Sequence, residues 1–214
     1  VQIHREGAAI IGTTHCEQDP DVPVPRALQT LMNTNQGADE LAQWLVTPPG
    51  QYLLAWEQAQ LDRVVADLFG FHALQLGLPE LDALRGNRMP HHWLARDSAK
   101  QPRAAALYCD TDALPFPERS LDLVVLPHTL ELARDPHLTL AEVERVLISE
   151  GRVVILGFNP ASLWGLRQRV GHVRQRLGGR GPLFLPRLGD FIAYWRLRDW
   201  LRLAPAERTF DALL

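Results

Sequence analysis

The stretch CDTDALPFPERSLDLVVLPHTLEL, residues 109–132, leads into DPHLTLAEVERVLI at 135–148 and RVVILG at 152–157. LDLVVL at 121–126 and RVVILG are nearly continuous in aliphatic and β-branched residues, the pattern of strands covered on both faces. Between them, Asp135 suits a helix N-cap and Pro136 the first helical position, while Leu138, Val143, Val146 and Leu147 form an apolar stripe. Two buried strands joined by a helix make a right-handed crossover in a parallel sheet.

Working outward, further strands are expected at 72–76 (HALQL), 91–95 (HHWLA) and 104–108 (AAALY). FHALQLGLPELDAL, 71–84, reads as a strand entering a glycine turn and then a helix. Upstream, 52–69 has helical spacing, with Leu54, Leu61, Val64, Val65 and Leu68 on one face and Glu57, Gln58 and Asp62 elsewhere. Residues 1–36 lack a sustained period and hold Pro20, Pro23 and Pro25, so they are expected to form an extended arm. The expected organisation is this arm, N-terminal helices over 37–70, and an α/β domain over 71–214. The alternation of strands and helices makes its fold class α/β with a parallel sheet.

The chain has 214 residues, is 46% hydrophobic and carries a formal charge of −3, so no global field draws it to nucleic acid or anionic membrane. Cys16 and Cys109 make neither a disulfide framework nor a zinc site, which points to a cytoplasmic location. No window approaches the ~18 apolar residues of a membrane span. His91 and His92 are adjacent and cannot share one face of a strand, and His128 and His137 lack further ligand spacing, so no metal is expected. No nucleophile elbow or phosphate loop is present. The span 164–202 is dense in arginine, from Arg167 to Arg202, with Asp190 and Asp199 the only acids. It reads as a solvated face, with an anionic partner such as RNA as the sharper alternative.

The passage 109–132 resembles the class I S-adenosylmethionine-dependent methyltransferases, in particular the type 11-like subgroup. Asp110, Asp112, Ala113, Leu114, Pro115, Phe116, Pro117, Ser120 and Asp122 match a passage of that subgroup, as do HTLE from His128 and ERVL at 144–147. RLRDWLRL at 196–203 is similar to a helix before the subgroup's last strands. The resemblance implies a Rossmann-like fold, a doubly wound, mostly parallel sheet with helices on both faces, and S-adenosylmethionine over the carboxyl ends of the first four strands. It further implies that Asp110 takes the adenine amino group, that the backbone of Thr111 meets the ring edge, and that Leu126 and His128 line the methionine end and substrate mouth. His128 is then the candidate for a catalytic polar group.

Two departures accompany the match. Where the family's first loop has an acid and several glycines, this chain has Gln75, Gly77, Pro79 and Leu81. Gln75 can offer only an uncharged amide oxygen, and Pro79 has no N–H. The ribose-binding acid of strand two has Asp97 as its nearest counterpart, with no room for a helix before the next strand. These losses imply weak cofactor binding. The family's closing antiparallel pair is expected to be incomplete, with ERTFDALL (207–214) as its first member. The reading is a methyltransferase of unknown acceptor with an eroded cofactor site. The alternative is a non-catalytic relative serving as an interaction or regulatory module.

Overall fold

The computed structural model describes residues 37–97, 105–158 and 210–213, the last by backbone alone. The arm at 1–36 and the arginine-dense span 164–202 lie outside the described residues. Residues 37–45 are helical (α1). Helix α2 (Pro48–Ala66) follows, then strands β1 (His72–Leu76), β2 (His91–Arg96), β3 (Leu107–Tyr108) and β4 (Leu121–Pro127). The short α3 (Thr129–Leu132) and α4 (Pro136–Val146) lead to β5 (Leu147–Leu156) and β6 (Phe210–Leu213). The sheet runs β3-β2-β1-β4-β5-β6, and every pairing is parallel. Strand order therefore reverses between β1 and β4, the point at whose carboxyl ends open α/β sheets hold their ligand crevice.

Alternation along the strands divides the core between the two faces, as in a doubly wound sheet. Ala73, Leu123, Val125, Val154 and Leu156 pack with Leu41 and Leu45 of α1 and Leu61 and Val65 of α2. On the other face Leu74, Leu76, Val124, Leu126, Val153 and Ile155 pack with Val143 and Val146 of α4. Helix α2 ends against Asn87, whose amide donates to Val65 O (2.7 Å) and Leu68 O (3.0 Å), carbonyls left open at a helix terminus. Helix α4 begins as expected: Asp135 accepts from the N–H groups of His137 and Leu138, and Pro136 opens the first turn.

The motif residues have structural work of their own. Asp122 Oδ2 accepts from Phe71 N (3.0 Å) and His72 N (2.9 Å), tying the start of β4 to that of β1. Gly70 is pressed so closely on this carboxylate that a Cβ there would lie 2.4 Å from Asp122 Cβ. Arg145 donates to Phe116 O (3.0 Å) and Leu114 O (2.9 Å), and Glu142 accepts from Leu114 N (3.1 Å). Helix α4 thus clamps the ALPF loop in front of β4.

Three local expectations are corrected. Helix α4 stops at Val146, because Leu147 already pairs with Leu121 across the sheet. No α-helix follows β1; residues 78–90 run as turns, since Pro79 lacks a donor and the loop satisfies its carbonyls elsewhere, as described below. Phe210–Leu213 forms a strand, but it adds directly and in parallel to the open edge of β5, and no antiparallel pair occurs among the described residues.

Candidate functional site

At the carboxyl edge of β3, two aspartates are treated differently. Asp112 accepts from the Thr139 hydroxyl (3.0 Å) and serves as a turn anchor, with Thr111 half-buried beside it. Asp110 is exposed, and its side chain makes no hydrogen bond with the described residues. Asp97, the first residue beyond β2, stands on the same edge and is solvent-accessible. Packing nonetheless removes enough water from its carboxyl to raise its pKa, and the charges of Asp110 and Asp39 add to this against Arg96. Cys109 is pushed up to about 11, first by desolvation and then by Asp110 and Asp97, so its thiol stays protonated. The field over this edge is negative and suits a ligand rich in donors.

Gln75 is engaged by its own turn. It is buried at the end of β1, and its amide nitrogen lies within hydrogen-bond distance of Leu78 O (3.0 Å), Leu81 O (2.7 Å) and Gly77 O (3.3 Å). Its oxygen accepts from Ala83 N (2.9 Å). An aspartate could not donate to those carbonyls, so the amide is the group this turn requires. Gly77 has φ +77°, and Leu78 follows at φ 34°, a region that ordinary side chains seldom enter. Pro79 and Leu81 are buried inside the turn. A cleft of about 370 Å³ separates this turn from β2, lined by Gln75, Leu84, His92 and Leu94 among others.

The largest correction concerns His128. Expected at the substrate mouth, it is fully buried, in a left-handed conformation (φ 53°) just past β4. Its Nε2 meets Glu57 Oε1 at 2.9 Å and its Nδ1 meets Glu131 Oε2 at 2.9 Å. The ring also packs on Phe158, centroids 4.4 Å apart. Burial alone would drive the imidazolium to lose its proton; the charges and hydrogen bonds of Glu57 and Glu131 override it and raise the pKa to about 10. Held protonated, with both nitrogens donating, His128 cannot serve as a general base at neutral pH. Leu126 is likewise withdrawn, lying wholly inside the core below the crevice.

Glu57 was placed off the apolar face of its helix, yet it is 5% exposed. The signal was available: Gly50, Leu54, Glu57, Leu61 and Val65 recur every three or four residues, so the acid stands in the middle of the buried stripe. Glu131 Oε1 accepts from Phe158 N (2.6 Å), which completes that carboxylate. Glu57 Oε2 is buried and has no donor among the described residues. Thr129, next to His128, donates to Leu76 O (2.6 Å) and lies 3.4 Å from where a Cβ on Gly77 would stand. The triad is therefore built beside the crevice between β1 and β4.

A family model described as a methyltransferase domain matches residues 87–155. The uncharacterized protein YafS of Escherichia coli (strain K12) is 31% identical over 164 residues, 77% of this chain and 64% of that protein. The ubiquinone/menaquinone biosynthesis C-methyltransferase UbiE of Paraburkholderia xenovorans (strain LB400) is 29% identical over 114 residues, 51% of this chain and 44% of UbiE. The chain thus spans less than two thirds of the length of these curated relatives. Among solved structures, an S-adenosylmethionine-dependent methyltransferase of Thermotoga maritima superposes with a TM-score of 0.50 at 15% identity, over 83% of this chain and 74% of that one. No helix among the described residues is long and apolar enough to cross a membrane. A methyltransferase-domain model thus matches residues 87–155, and the fold is that of the superposed S-adenosylmethionine-dependent methyltransferase.

Proposed function

We propose that this protein transfers a methyl group from S-adenosylmethionine to an acceptor held over the crevice between β1 and β4. The observation that carries the reading is Asp110: an exposed carboxylate without a side-chain partner among the described residues, at the carboxyl edge of the sheet and inside the matched segment. Asp110 would accept from the adenine amino group, the backbone of Thr111 would meet the ring edge, and Asp97 would accept from the ribose hydroxyls. Gly77, with no Cβ, lets a ligand approach the backbone at the end of β1. When bound, the cofactor supplies a methyl group already activated by its sulfonium. The protein's part is to bind, align the acceptor and exclude water, which can provide most of the acceleration without an acid–base residue. That division of labour fits a site whose buried histidine is locked in its charged form. In this reading residues 37–70 belong to the same working unit as 71–214, and the location is cytoplasmic.

The test is calorimetric titration of the full chain with S-adenosylhomocysteine, comparing Asp110→Ala with Asp112→Ala. With the charge of the first loop missing, the wild-type dissociation constant is expected on the order of tens of micromolar. Asp110→Ala should weaken binding by about 1–3 kcal/mol, as expected when a polar group in the bound site loses its partner. Asp112→Ala should lower thermal stability and leave affinity nearly unchanged. Equal affinities for Asp110→Ala and wild type would reduce Asp110 to a surface residue and favour the non-catalytic alternative.

A further inference from the structure

We infer that Glu57 is the anchor for the ammonium group at the amino-acid end of the cofactor, its free oxygen Oε2 taking the contact that the end of β1 does not provide. The inference rests on the proposed cofactor reading and assigns a residue from outside the sheet to the site.

Two carboxylates and one imidazole meet in this cluster. Three of the four carboxylate oxygens have a donor: Glu57 Oε1 and Glu131 Oε2 from His128, and Glu131 Oε1 from Phe158 N. Glu57 Oε2 alone has none among the described residues, although it is shut off from solvent. Two carboxyl groups thus share one imidazole, and only Glu57 keeps an oxygen without a donor among the described residues. A buried, unpaired carboxylate oxygen is costly, and the group that best offsets it is a donor carrying positive charge. The backbone offers only neutral donors; an ammonium supplies both the proton and the charge.

Position narrows the choice of ligand. His128 is the first residue past β4, Thr129 bonds the last carbonyl of β1, and Gly77 leaves the space next to Thr129 without a side chain. The carboxylate thus stands where the strand order reverses, the part of an open α/β sheet where ligands bind. Across the crevice Gln75 cannot compete for a cation, because its uncharged amide is engaged by its own turn. Asp97 and Asp110 serve the β2 and β3 side, so adenosine and amino-acid ends would be read by separate acids. Helix α2 contributes to the site through Glu57, whose Oε1 is held by His128 Nε2 at 2.9 Å.

The test separates the two ends of the ligand. S-adenosylhomocysteine and 5′-methylthioadenosine share the adenosine and thioether, and only the first has an amino-acid end. Both are titrated into the full chain, its Glu57→Gln variant and, as a control for damage to the triad, Glu131→Gln. Glu57→Gln should weaken S-adenosylhomocysteine about tenfold or more and leave 5′-methylthioadenosine within about twofold. Glu131→Gln should lower the melting temperature without altering the ratio of the two affinities. If Glu57→Gln does not fold, Glu57→Asp, which keeps the charge but withdraws it, is read with the same pair and should also lower the ratio. A ratio unchanged in every folded Glu57 variant, or lowered equally by Glu131→Gln, overturns the assignment while leaving the cofactor reading intact. Failure of the wild type to bind either ligand overturns both.

Discussion

At the scale of single residues, the charge state of His128 makes a solution prediction. An unfolded chain would release that proton near the ordinary histidine pKa of 6.5, whereas the folded protein holds it to about 10. The stability contributed by the imidazolium is complete below about 6.5 and is lost as pH rises through 10. Unfolding free energies from urea titrations should therefore fall across this window, by at most about tenfold in the equilibrium constant per pH unit, and His128→Gln should flatten the decline. An equal slope in that variant would mean the histidine is neutral in the fold. Gly70 gives a steric counterpart. Gly70→Ala puts a methyl against Asp122 Cβ and should cost about 1–3 kcal/mol. The loss should shrink in an Asp122→Ala background, because the two sites share one contact; additive losses in urea unfolding would argue against that contact.

Among the elements, the turn after β1 behaves as a unit organised by one amide. Gln75→Ala removes the donor shared by Gly77, Leu78 and Leu81 carbonyls and the acceptor of Ala83 N. It should destabilise the fold by about 1–3 kcal/mol and speed amide exchange at Ala83; an unchanged exchange rate would dismiss the amide as the organiser of the turn. Gln75→Glu should not restore a cofactor acid, since it would set a carboxylate against those carbonyls. The crossover from β4 to β5 could be read directly from the sequence, because Asp135, Pro136 and the aliphatic runs act locally. The β1 turn could not. Its glycine pattern suggested a strand–turn–helix, and what replaced the helix was a side chain folding back on its own loop, which no periodicity reports. Glu57 was missed for a related reason: its spacing placed it in the buried stripe, but its charge argued for the surface, and the histidine that neutralises it lies 71 positions away.

Over the whole molecule, the parallel crossover from β4 to β5 follows from patterns legible in the chain and the doubly wound order from the resemblance, whereas the wiring of the site depends on contacts between distant elements. Asp110 was identified by its motif, and its carboxylate has no hydrogen-bond partner among the described residues. His128, matched in the same passage, and Leu126, which the resemblance places beside it, are both buried. In the proposed reading the cofactor edge would be divided between acids at the ends of β2 and β3 and a buried carboxylate delivered by α2. Titration of the isotope-labelled full chain with S-adenosylhomocysteine, followed by amide chemical shifts, tests this arrangement most directly. Perturbations are predicted at Gly77 and Leu78, at Asp97, at Asp110 and Thr111, and at His128 and Thr129. Shifts confined to the cleft lined by Leu84, His92 and Leu94, or no shifts at millimolar ligand, would contradict it.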